Sequence, residues 1–156
     1  MFSQINISYL YLSDFFNLNL KPMNWKLIFQ LSLFGLIMAF GTISLIPNKI
    51  EPFFWLVIFI IVAYFIAKTC PDRFFLYGFL VSMFNCVWIM MAHVLFYRSY
   101  AAHHPEMVNM FPPNALSNHP RVLMLIVGPF MGAASGLIQG LFAFIASKIV
   151  KRNTIG

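Results

Sequence analysis

The chain has 156 residues, 61% of them hydrophobic and 9% charged, with a mean hydropathy of +0.82. A single soluble domain of this length cannot bury that much apolar surface, so composition places the chain in a bilayer. The formal charge of +6 does not make it a nucleic-acid binder, because the ten Lys and Arg lie singly or in pairs beside apolar runs, where lipid headgroups meet them.

Residues 1–22, MFSQINISYLYLSDFFNLNLKP, form an N-terminal extension rich in Asn, Ser and aromatics. Met23-Asn24-Trp25-Lys26 reads like a natural start ahead of a span, so the extension is either an over-extended start or an interfacial segment. Ile5, Tyr9, Leu12 and Phe16 recur at the helical spacing the second option needs. The first apolar run, 27–46, carries no formal charge and matches the roughly 20 residues that cross about 30 Å of hydrocarbon. Ala39-Phe40-Gly41 has the small-x-small pattern of a cleavage site, yet apolar character continues through Ile46, so an uncleaved span is expected.

The second run, 53–67, is short and relies on Pro52 and the snorkelling stem of Lys68 to reach across. Being bulky throughout (FWLVIFIIV), it is expected to be the span more exposed to lipid. The third and fourth runs, 74–97 and 122–147, are long enough to cross with tilt. PNKIEP and KTCPDR should join the first three as tight helical hairpins, leaving 98–121 as the one sizeable loop. Residues 23–152 thus read as an all-α, polytopic membrane domain, a bundle of four transmembrane helices, followed by a tail at 153–156.

Orientation follows from Lys and Arg on alternate sides. Lys21, Lys26, Lys68, Arg73, Lys148, Lys151 and Arg152 fall on one side, and Lys49, Arg98 and Arg121 on the other. By the positive-inside rule both termini are cytoplasmic and the long loop is external in a multi-pass cell-membrane protein.

The last run contains GPFMGAASGLIQG, with glycine at Gly128, Gly132, Gly136 and Gly140. In a water-soluble helix each would cost about 1 kcal/mol relative to alanine. Four-residue spacing keeps them on one helix face, where small residues let another backbone approach closely, the usual attraction between helices in lipid. Pro129 is expected in the first turns of this helix, where it is tolerated. On the third run Gly78, Ser82, Asn85, Cys86, Ile89 and His93 share a face, with Leu80, Phe84, Val87, Met91 and Leu95 opposite. The expected contact is between these two helices within one chain, the alternative being a glycine-seam homodimer. Ser32, Gly35, Ala39 and Thr42 give the first run a lesser small face.

Polar residues inside a membrane are functional candidates by default. Asn85 and Gln139 lie near mid-span, where cross-bundle hydrogen bonds are worth about 1 kcal/mol. His93 lies nearer the outer end, where it could titrate, shuttle a proton or bind a metal. No Asp or Glu occurs within the four runs, so proton-coupled export by a membrane carboxylate has no residue to use. In the loop, His103, His104, Glu106 and His119 are zinc-type ligands and Met107 and Met110 copper-type ones, but their spacing matches no closed metal motif, and no metal or cofactor is assigned. Met110-Phe111-Pro112-Pro113 reads as a re-entrant or interfacial cap. Cys70 and Cys86 form neither a disulfide framework nor a CxxC pair.

Neither a Ser-His-Asp or Cys-His set nor a phosphate-binding glycine loop is visible in the sequence, so an enzyme is not expected. With four spans, basic cytoplasmic ends and the GPxxGxxxGxxxG stretch, residues 23–152 resemble the uncharacterised small four-span membrane proteins common in bacterial genomes. That resemblance implies an architecture and carries no activity. Small multidrug exporters share the size, but this chain lacks their membrane glutamate. The expectation is a structural or accessory membrane protein acting through glycine-mediated helix packing, with itself or a membrane partner protein. The alternative is a small channel or transporter whose path runs between spans three and four past Asn85, His93 and Gln139.

Overall fold

The computed structural model describes residues 22–108 and 119–151. Most of the N-terminal extension, the Met110-Phe111-Pro112-Pro113 cap with its Met110 ligand candidate, and Arg152 with the tail lie outside the described residues. Among the described residues six helices follow in chain order: α1 Trp25–Ser44, α2 Glu51–Thr69, α3 Phe74–Leu95, α4 Tyr97–His103, α5 Pro105–Val108 and α6 Pro120–Ile149. Of these, α1, α2, α3 and α6 are long and apolar enough to cross a membrane. The chain is an all-α, membrane-embedded four-helix bundle.

Local chemistry sets the boundaries. At the start of α1 the Asn24 side chain accepts a hydrogen bond from the Leu27 N–H at 3.0 Å, satisfying one of the free donors of the first turn. The helix closes where Leu45 and Ile46 both donate to the Gly41 carbonyl, ahead of Pro47. Glu51 and Pro52 open α2, and Lys68 in its last turn complements the helix dipole. These polar ends extend α2 to 19 residues, longer than its apolar run, and remove the shortfall expected from sequence. Between α2 and α3 the chain reverses through Arg73 at φ 51°, a left-handed conformation that a non-glycine residue rarely adopts. Phe96, outside helical geometry, separates α3 from α4.

The α1 N-terminus and the α2–α3 turn share one end of the bundle, the turn end. There the Asn24 N–H donates to the Tyr77 hydroxyl at 2.8 Å. The opposite end, covered by α4 and α5, is the strap end. Since Asn24 meets Tyr77 at one end and Thr42 meets His93 at the other, α1 and α3 run parallel. Neighbours of Gly140, Gly136, Gly132 and Gly128 are Phe75, Phe79, Cys86 and Met90 in that order, so α6 runs antiparallel to α3.

The packing order is α1–α3–α6–α2. Although the links around α2 are as short as expected, α2 does not form close hairpins with its chain neighbours. It lies mainly on α6, with Phe59 edge-on to Phe142 at 6.1 Å. Ile28, Val62, Ile66 and Val81 are fully buried where α1, α2 and α3 converge.

Three further expectations need correction. The helix with least of its span buried is α6, at 17% against 28% for α2, because only a narrow row of small residues on α6 faces inward. Leu80 and Phe84 do not face away from the bundle but pack against its core, since α3 is contacted on two sides and buries a wider face. Pro129 stands well inside α6, whose first turn begins at Pro120, and so removes a hydrogen bond to the Leu125 carbonyl that a first-turn proline would not.

Candidate functional site

Three groups of residues carry the chemistry of this bundle. The first is the α3–α6 seam. Gly132, Gly136 and Gly140 are all buried, and a Cβ placed on any of them would collide with α3. At Gly132 it would stand 2.7 Å from the Cys86 Cβ; at Gly140, 2.8 Å from both the Phe75 carbonyl oxygen and its ring. From the other side, a Cβ on Gly78 would stand 2.7 Å from the Gln139 carbonyl oxygen and 2.9 Å from the Gly140 Cα. Backbone therefore lies on backbone at Gly78 and Gly140, a geometry that maximises dispersion contacts where lipid offers no hydrophobic drive. Gly128 differs, its neighbour being the flexible Met90 side chain. Two weaker polar contacts cross the seam: the Ser82 hydroxyl donates to Ser135 at 3.2 Å, and the Cys86 thiol donates to the Gly128 carbonyl at 3.0 Å.

The α1–α3 interface forms the second group. Ser32 donates to the Phe29 carbonyl at 2.8 Å and accepts from the Trp88 indole N–H at 3.1 Å. Asn85 is 2% exposed, and its carboxamide has no hydrogen-bond partner at either polar atom. Gly35 makes room for it, since a Cβ there would stand 2.5 Å from Asn85 Oδ1. Gln139 is fully buried elsewhere: its Nε2 donates to the Phe59 carbonyl of α2 at 3.3 Å, leaving Oε1 unpartnered. The three intramembrane candidates therefore do not share a lane between α3 and α6. Asn85 and His93 face α1, whereas Gln139 faces α2.

At the strap end, His93 Nε2 lies 3.1 Å from Thr42 Oγ1, and His104 Nε2 lies 2.7 Å from the Thr42 carbonyl oxygen. The Tyr100 ring stacks on His93 with centroids 4.2 Å apart and tilts against His104 at 4.8 Å. His104 is 2% exposed, and its Nδ1 has no hydrogen-bond partner. Burial pushes the Tyr100 phenol above its ordinary range, and the carboxylates of Glu51 and Glu106, with Tyr97, push it the same way.

The loop ligands of the sequence reading are dispersed. His103 is exposed, its Nδ1 donating to the Ser99 carbonyl at 2.8 Å. Glu106 accepts from the Asn48 side chain, and His119 is exposed ahead of α6. The side chain of Met107 lies outside the described residues. Among the described residues no three His, Cys, Asp or Glu side chains come together as a metal-binding group. Much of the expected loop is helical, and it is α4 that carries Tyr100. The sequence did not single out Tyr100, which lies in the stretch expected to be loop, or Trp88, whose indole N–H gives no spacing signal within an apolar run.

Fold and site together define an all-α, four-helix membrane protein with one close small-residue seam and one polar seam on a shared central helix. No family model, curated protein or solved structure matches the chain.

Proposed function

We propose that this is a structural or accessory membrane protein, in which glycine-mediated packing builds a rigid scaffold whose lipid-facing surfaces contact a membrane partner. One observation supports this reading above others: the glycine face of α6 is filled from within the chain by α3. The glycines are then spent on building the bundle, which favours the intrachain contact over a glycine-seam homodimer. Charge supports an orientation with both termini in the cytoplasm, since Lys26, Lys68, Arg73, Lys148 and Lys151 gather at the turn end against Lys49, Arg98 and Arg121 at the strap end. Purification of the full chain in mild detergent, with mass determination of the intact complex, tests the reading. A stoichiometric second membrane protein and tight liposomes are the expected result. A homo-oligomer that conducts ions or solutes would overturn it.

A small channel or transporter is the second reading, supported by the unpartnered amide atoms of Asn85 and Gln139 inside the bundle. It requires a path other than the α3–α6 seam, where backbones touch. Solute flux that changes in His93→Ala would favour it; equal flux in both proteins would remove His93 from any path.

A further inference from the structure

Thr42 receives both strap-end histidines, and its own bonding fixes their protons. Its hydroxyl has one hydrogen, directed at the Met38 carbonyl at 2.9 Å with Ala39 at 3.2 Å, so toward His93 it can only accept. His93 therefore carries its proton on Nε2. The Thr42 carbonyl is one of the free acceptors in the last turn of α1, left without a backbone donor because Ile46 N–H turns to Gly41. His104 Nε2–H fills that role. In both neutral rings the next proton can go only to Nδ1.

We propose that the His93–Tyr100–His104 stack is a proton-released latch: with both imidazoles neutral it fastens α4 and α5 over the ends of α1 and α3, and protonation frees them. At His104 an added proton creates a buried N–H without an acceptor in a ring that is 2% exposed. A second imidazolium would then press on the first through the one Tyr100 ring that both contact. Among the described residues, Glu51 from α2, Glu106 from α5 and Tyr97 from α4 act on Tyr100, and Thr42 from α1 meets both imidazoles. Each carboxylate already accepts a hydrogen bond, Glu51 from Trp55 and Glu106 from Asn48. Both donors are neutral, so the carboxylates keep their charge and offset part of that repulsion, but neither supplies the acceptor that the His104 Nδ1 lacks. Release has its hinges in place, because Phe96 and His104, the residues that bound α4, both lie outside helical geometry.

The closed strap binds fewer protons than the open one, so falling pH favours opening by up to about tenfold per unit for each proton taken up. Hydrogen exchange of the full chain in lipid nanodiscs reads this as the protection factor of residues 97–104, with α3 as internal reference. Between about pH 7.5 and about pH 5, on either side of the ordinary histidine range, strap protection should fall at least roughly tenfold while 77–92 changes less than about twofold. Glutamine offers the same Nε2 donor without titrating, so the double variant His93→Gln/His104→Gln should keep the strap protected at both pH values. Strap protection that is constant in the wild type, or lost at low pH in the double variant, would overturn the latch. Should the double variant lose α3 protection as well, His103→Gln decides: the latch requires the wild-type response there, and its disappearance would assign the response to the exposed His103 instead.

Discussion

Helix α3 is held on two sides by opposite means. Toward α6 the contact is close and almost free of directional bonds, with Gly78 laid on the Gln139–Gly140 backbone. Toward α1 it is spaced by side chains and threaded with hydrogen bonds, from Asn24–Tyr77 through Ser32–Trp88 to Thr42–His93. In lipid, where association gains little from apolar burial, these are the two available sources of attraction, and the bundle uses one on each flank. Tolerance to change should differ accordingly. A seam of backbone contacts has no side chain to move aside, whereas a polar interface loses only the bond removed.

The largest effect is therefore expected at Gly78→Leu. Even the first added carbon meets Gln139 and Gly140 backbone, so the helices must separate along their length. The cost should reach about 3 kcal/mol, the upper part of the usual overpacking range. Equilibrium unfolding in mixed micelles checks this, and a loss under about 1 kcal/mol would show that α3 and α6 are not packed backbone to backbone.

Much of this fold was legible because membrane helices announce themselves by length and by where glycine falls. Four-residue spacing of Gly128, Gly132, Gly136 and Gly140 led to the α6 face, and the small-polar row Gly78, Ser82, Cys86 led to its partner. Ser32, Gly35, Ala39 and Thr42 likewise pointed to a second face on α1, three of whose members meet polar groups of α3. What one-dimensional spacing could not supply was the split of α3 between two partners. Asn85 and Cys86 are sequence neighbours about 100° apart, so one faces Gly35 and the other Gly132. The latch was less legible still. His104 looked like one polar residue in a polar loop, and only the fold of α4 turns it back onto Thr42.

Thr42→Val sharpens the polar side of the comparison. It keeps the shape and the backbone carbonyl that holds His104, but removes the acceptor of His93, leaving a half-buried imidazole N–H without its partner. A destabilisation of about 1 kcal/mol is expected, the scale of a single hydrogen bond between membrane helices. Unfolding measured in mixed micelles reads it, and an effect as large as that of Gly78→Leu would erase the distinction between the two flanks.

Asn85→Ala tests the same flank with the opposite sign. Both polar atoms of Asn85 are buried and unpartnered, which costs about 1–3 kcal/mol on the scale of unsatisfied groups. Removing them leaves a void against Gly35, whose penalty takes back part of that gain. Net stabilisation of about 1 kcal/mol should appear as a later unfolding midpoint. Destabilisation of similar size would mean that Asn85 has a bonding partner in the membrane and would remove the support its amide lends the channel reading.

The smallest effect is expected at Gly128→Ala, although Gly128 belongs to the same periodic row as Gly140. Its added methyl meets only the Met90 side chain, which has three rotatable bonds and a half-buried site in which to move. Alanine also recovers up to about 1 kcal/mol of helix propensity over glycine, a gain less relevant in lipid but of the same sign. The two terms nearly cancel, giving a change within about 0.5 kcal/mol, while Gly140→Ala, facing the Phe75 backbone, should cost about 2 kcal/mol. Equal losses at the two positions would mean that the row acts through glycine spacing alone. A difference between them locates the attraction where backbone meets backbone, toward the turn end of the seam.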